Sequence, residues 1–175
     1  MSNGEVIIMR GPSGAGKSTW QRENAPDAHV CSADDFWLMP MIEASHLDKH
    51  SVPESKYPIV YKSGRWHEYI FNPASQSEAH AWCVKMFLVA LKAGHEQIVV
   101  DNTNIKPWQY DHYVMMAQMM DYNVRIIDFQ PVTIADINLC VERNQHRVPA
   151  ETVRAMCCEF VPDERAELVF ITGEK

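Results

Sequence analysis

Apolar positions recur along this chain in two rhythms. Short unbroken apolar runs bounded by polar or turn-forming residues, "EVIIMR" (5–10), "QIVVD" (97–101) and "NVRIIDF" (123–129), predict buried strands. "HVCSADD" (29–35) reads as a fourth, shorter strand ending in two acids. Between these runs the period lengthens to that of a helix. "STWQREN" (18–24) continues as a helix out of a glycine-rich stretch. Ala79, Cys83, Met86, Phe87 and Ala90 form a stripe at helical spacing, with Asn72 suited to the N-cap, Pro73 to the first position and Gly94 to the stop. Pro107 opens a helix over "PWQYDHYVMMAQMMDY", whose methionines at 115, 116, 119 and 120 are expected in the core. "TIADINLCVERN" and "PAETVRAMCCEF" are two further helices joined by "QHRV". From Phe36 to Phe71 neither rhythm holds, and Pro40, Pro53 and Pro58 break any helix, so loops and short helical pieces outside the sheet are expected there.

Strands alternating with helices predict an α/β fold, a three-layer sandwich around a mainly parallel sheet. The expected organisation is one domain over 1–175, with 36–71 as a substrate-facing insertion and 133–160 as a pair of lid helices. Ligands of such sheets bind beyond the carboxyl ends of the strands. Chemically loaded stretches follow residues 10, 32 and 100, all at such ends.

Composition narrows the partners. A chain of 175 residues with 46% hydrophobic residues suits one soluble domain. Its net charge of -7 argues against a broad basic face, so a nucleic-acid partner would be gripped locally, at one nucleotide or an end. No basic leader precedes a long apolar stretch, and no apolar run reaches the ~20 residues that span a bilayer; no membrane partner and a cytoplasmic location are expected. The five cysteines form no CxxC and read as reduced thiols. Oligomeric state is not written in these features.

The central motif is "GPSGAGKST". Gly11-x-x-x-x-Gly16-Lys17-Ser18, after a strand and before a helix, matches the phosphate-binding loop in full. Backbone N–H groups from Ser13, Gly14, Ala15, Gly16, Lys17, Ser18 and Thr19 would cradle the phosphates of ATP, helped by the positive end of the helix. Lys17 would reach the β- and γ-phosphates, and Ser18 with Asp101 would hold Mg²⁺. Hydrolytic motors usually place a glutamate after the strand-end aspartate, to activate water; here Asn102 follows Asp101, which favours transfer to an organic hydroxyl. Such transfer needs a carboxylate on the acceptor side. Asp34 and Asp35 supply one, and alternation along a strand would turn only one of them into the cleft.

"GPSGAGKSTW", "SADDFW", "EAHAWC", "VVDNTN" and "ERNQHRVPAETVRAM", in this order over most of the chain, resemble the kinase domain of phage polynucleotide 5′-hydroxyl kinases and related single-domain P-loop kinases. The resemblance implies P-loop kinase architecture with a helical lid. It implies that Asp34 is the general base, that Arg143 and Arg147 of the lid stabilise the transferring phosphoryl, and that Asp101 ends the metal-binding strand. It further implies that Asn102, Thr103 and Asn104 face the acceptor and that His80 matches an Ala-His pair of the family. In that family an arginine follows the base by three residues; here the position is Trp37.

A phosphate clamp could instead come from "KSGRWH", with Lys62, Arg65 and His67. Nearby rings, Trp37 and Trp66 among them, could stack on bases or form a small core under the loops. Asp35, Trp37, Arg65, Trp66, His80, Asn102 and Asn104 are therefore the candidate acceptor contacts. Four readings follow: a polynucleotide 5′-hydroxyl kinase, a kinase of the hydroxymethyl group on a modified DNA base such as hydroxymethyluracil, a small-molecule or nucleoside kinase, and a non-catalytic nucleotide-binding module.

Overall fold

The computed structural model describes residues 2–144 and 148–171. In chain order its elements are β1 (Gly4–Arg10), α1 (Lys17–Asn24), β2 (His29–Cys31), β3 (Leu38–Pro40), β4 (Ile59–Lys62), β5 (Arg65–Tyr69), α2 (Gln76–Ala93), β6 (Gln97–Asp101), α3 (Asp111–Met119), β7 (Tyr122–Asp128), α4 (Ile134–Glu142), α5 (Ala150–Cys158) and β8 (Glu167–Leu168). They fall into two compact units, one of Met1–Cys31 with Val84–Lys175 and one of Ser32–Cys83.

The first unit is built on five parallel strands in the order β2-β6-β1-β7-β8. The run "VIIM" takes the middle because its four side chains are all fully buried, as a parallel strand covered on both faces requires. Ile8 lies opposite Val100 of β6 on one side and Ile126 of β7 on the other. Ile7 and Met9 join Val99, Ile127 and Phe129 in a cluster closed by Cys140 of α4 and by Val153 and Cys157 of α5, with Trp20 of α1 packed against it. On α2 and α3, Phe87 and Tyr113 meet edge to face at 5.1 Å. Each such aliphatic side chain taken from water contributes about 1.5–3 kcal/mol. The carboxyl ends run level, Met9 opposite Asp101 and Arg10 opposite Asp128, so chemistry at one strand end adjoins chemistry at the next.

The second unit departs from the sequence expectation. The segment 36–71 holds a three-stranded antiparallel sheet, β3-β5-β4, besides its loops. Ser63 (φ 51) and Gly64 (φ 80) make the two-residue turn that joins β4 to β5, with positive φ at both positions as a twisted hairpin prefers. Strands of three to five residues carrying Lys62, Arg65, His67 and Glu68 show too little alternation for a period to emerge.

Three further expectations change. The second strand stops at Cys31, and Asp34 and Asp35 occupy the first turn of a 3₁₀ helix, Ala33–Trp37. Ser32 takes the Asp34 N–H onto its hydroxyl at 3.3 Å, and this local cap competes with strand pairing. Most of the methionines at α3 are not core: Tyr113, Val114 and Ala117 form its buried side, Met116 is half-buried, and Met115 and Met119 are exposed, as is Met120 beyond it. A two-residue strand, β8, extends the sheet beyond the four expected. Pro73 begins a 3₁₀ turn, Pro73–Ser75, capped by Asn72, and α2 starts behind it. Gly94 sits at φ 73, the left-handed stop expected of it. No helix among the described residues is long and apolar enough to cross a membrane.

Candidate active site

The loop after β1 is shaped by what glycine permits. Gly14 has φ 79, and a Cβ there would sit 2.0 Å from the Cys140 carbonyl oxygen and 3.1 Å from the Asn144 N–H nitrogen. The end of α4 therefore rests directly on the loop, which only a residue without a side chain allows. Gly16, at φ 98, is the N-cap of α1; there the backbone conformation, not space, demands glycine. Lys17 donates from Nζ to the carbonyl oxygens of Gly11 at 2.9 Å and Pro12 at 3.1 Å, holding its ammonium over the loop. Ser13 is half-buried and Ala15 buried, while Ser18 and Thr19 are exposed on the first turn of α1. The Thr19 hydroxyl accepts from Arg22 Nη2 at 3.1 Å.

Ser18 Oγ donates to Asp101 Oδ2 at 3.2 Å. Two hard oxygen donors, one from the helix start and one from the end of β6, suit Mg²⁺, which takes few protein ligands and completes its shell with phosphate and water. Among the described residues no group of three His, Cys, Asp or Glu side chains forms a closed metal cage. A magnesium site shared with a bound triphosphate fits this donor set.

A residue that sequence reading passed over supports the loop from below. Arg10 ends β1 just before Gly11 and is fully buried. Its Nη1 binds both Asp128 oxygens at 2.7 and 2.8 Å, Nη2 donates to the Val161 carbonyl at 2.6 Å, and Nε to the Asn104 carbonyl at 3.1 Å. The guanidinium also lies over the rings of Tyr110 and Phe160, at 4.7 and 4.9 Å. A single side chain thus joins the ends of β1 and β7 to the loop after β6 and to the C-terminal segment. Burial pushes the Asp128 carboxyl up and the Arg10 guanidinium pulls against it. Asp163 takes the Tyr110 hydroxyl and the Arg165 guanidinium, and Arg165 holds its carboxyl well below the usual range.

Asn104 is held by the backbone of β1. It is buried, at φ 45, and its Nδ2 donates to the Met9 carbonyl at 3.0 Å, so it braces β1. Asn102 is also buried. Arg143 is exposed at the end of α4 and donates from Nη1 to the Ile171 carbonyl at 3.1 Å. Arg147 lies outside the described residues.

The second unit carries the other acceptor candidates, Asp35, Trp37, Arg65, Trp66 and His80. Strand register places Arg65, His67 and Tyr69 of β5 on one face of the small sheet, with Lys62 opposite Arg65. From this face the Tyr69 hydroxyl donates to Asp34 Oδ1 at 3.1 Å, and the Lys62 ammonium binds Asp35 Oδ1. The expectation that one aspartate must turn away came from strand geometry. On a 3₁₀ helix both reach the same sheet face, and they differ in partner instead. Burial, then the Asp34 charge, pushes the Tyr69 hydroxyl far up, so it stays protonated and always acts as the donor. The His80 imidazole is pulled below its ordinary value by burial, with the Asp34 charge opposing.

Trp37 and Trp66 serve as core. Trp37 is 6% exposed and meets Phe36, Tyr69 and Phe71 edge-on, at centroid separations of 4.8–6.2 Å. Trp66 is 7% exposed, packs on Tyr61 and donates from Nε1 to the Asp48 carbonyl at 3.0 Å. Neither offers a ring face for stacking. Arg65 is exposed beside the Ser63–Gly64 turn. Sequence reading did not single out the Lys62–Asp35 and Tyr69–Asp34 pairs; the "KSGR" hairpin signal was there to bring β5 back past the aspartates.

A phosphate-binding loop between a central parallel strand and a helix, with its serine on the neighbouring strand's terminal aspartate, defines a P-loop α/β fold of the kinase type. The chain belongs to the AAA domain family, whose model matches residues 6–159. It is similar to human NEDD4-binding protein 2, 26% identical over 160 residues that cover 86% of this chain. The matched part is 7% of that relative's length. The fold is similar to that of a gluconokinase from Sinorhizobium meliloti 1021, with a TM-score of 0.54, 14% identity, and coverage of 98% of this chain and 85% of that one.

Proposed function

We propose that this chain is an ATP-dependent phosphotransferase whose acceptor is a hydroxyl on a nucleic acid, held at an end or at one nucleotide as in polynucleotide 5′-hydroxyl kinases. The observation that carries it is the state of Asp34. One of its oxygens is held by Tyr69, and among the described residues no donor meets the other. A module that only binds nucleotide has no use for a carboxylate kept so.

In the proposed reaction the acceptor oxygen attacks the γ-phosphorus as the bond to the β,γ-bridging oxygen breaks and ADP leaves. The hydroxyl proton passes to Asp34 and then to water. Lys17 leaves its loop carbonyls for the β- and γ-phosphate oxygens, and the backbone N–H groups of residues 13–19 hold the β-phosphate. Arg143 offers a planar donor from the lid, and Arg147 is assigned the same role from its place in the motif. Ser18 and Asp101 are the residues that would hold Mg²⁺, which would supply positive charge against that of the phosphates.

A second reading, a small neutral alcohol as acceptor, draws on the buried state of Trp37 and Trp66 and on the excess of acidic over basic residues in 32–83. Offering γ-labelled ATP to 5′-hydroxyl DNA and RNA oligomers, hydroxymethyluracil-containing DNA, free nucleosides and simple polyols separates the two. Label at an oligomer end supports the first reading. Label confined to small acceptors supports the second, and label on no acceptor rejects both.

A further inference from the structure

The two aspartates of "SADDF" are separated by what the small sheet sends to each. Asp35 receives an ammonium, and its side chain is mostly covered. A carboxylate oxygen occupied by an ammonium suits a structural tie between the turn and β4. Asp34 receives a neutral phenol, on Oδ1. Its second oxygen meets no donor among the described residues and can receive a hydroxyl. The phenol itself is fixed, because the Tyr69 ring packs at 6.2 Å from Trp37 and at 6.4 Å from Phe71 and its backbone N–H is tied to the Pro58 carbonyl at 2.8 Å.

We propose that Tyr69 is a positioning residue for phosphoryl transfer, orienting Asp34 so that its open oxygen meets the acceptor hydroxyl, while Lys62 keeps Asp35 out of that role. The inference rests on the kinase reading above. It gives the buried Trp37 a part as well: its ring meets the Tyr69 ring edge-on and supports the phenol from behind.

Among the described residues, Tyr69 from β5 and His80 from α2 face Asp34, and the adjacent Asp35 is paired with Lys62 of β4. Removing only the hydroxyl, in Tyr69→Phe, keeps the ring in the core. With whichever acceptor the wild type labels, kcat is expected to fall roughly tenfold or more, with the KM for ATP within about twofold of wild type. The thermal midpoint should stay within a few degrees of wild type. An unchanged kcat overturns the role of Tyr69 and leaves the kinase reading standing. A fall in kcat matched by a raised KM for ATP, or one that tracks a lowered midpoint, reduces Tyr69 to a packing residue. A wild-type protein that labels no acceptor removes the kinase reading and this role together.

Discussion

Gly14 illustrates how one residue can carry two demands. Its positive φ shapes the phosphate loop, and its missing side chain admits the Cys140 carbonyl at the end of α4. Gly14→Ala should therefore cost about 2–4 kcal/mol in chemical denaturation, as strain and overlap against backbone combine. Lys17→Ala should weaken ATP binding and transfer together by at least roughly tenfold, since a desolvated charge on phosphate is lost; calorimetric titration with ATP checks it. These residues were legible in the sequence because each acts within a loop of fixed spacing. The partners of Asp34 and Asp35 were not. Tyr69 and Lys62 lie 35 and 27 positions away, across a stretch without period, and only strand register brings them back.

Among elements, β1 was legible from its unbroken apolar run, and its last residue was not. Arg10 looks like a strand-end charge that could face water, yet it is fully buried and bound to Asp128. Arg10→Ala leaves the Asp128 carboxylate buried without its partner and should cost about 3–5 kcal/mol. The double variant Arg10→Met, Asp128→Leu should recover much of that loss, because two apolar side chains strand no charge. Urea unfolding of the three proteins checks both expectations. The same logic explains the second strand. Read as a period it ran to Asp35, but the Ser32 hydroxyl captures the Asp34 N–H and turns the chain into a 3₁₀ helix after Cys31. In α3 the buried side chains are Tyr113, Val114 and Ala117, so hydrophobic character alone misplaced the methionines.

For the whole molecule, acid should erode the ties of the C-terminal segment. Asp163 is held below its ordinary value of 3.8 in the folded state, so its contribution is complete above that value and lost as pH falls through the lower, folded one. Arg165→Gln removes the cause, and its stability should decline less steeply than wild type between about pH 5 and pH 1; urea midpoints across that range report it. The parallel sheet and its nucleotide end were readable at this scale because strands, loop motif and helices follow one another in order. The Ser32–Cys83 unit, built from short strands and turns, was not. The central claim is that its Asp34 takes the proton of an alcohol while the loop holds ATP. The direct measurement is phosphoryl transfer and ATP affinity in Asp34→Asn. Transfer reduced by roughly a hundredfold or more, with the Kd for ATP within about twofold of wild type, is the result the account predicts. Transfer at the wild-type rate, or ATP binding lost in parallel with transfer, would contradict it.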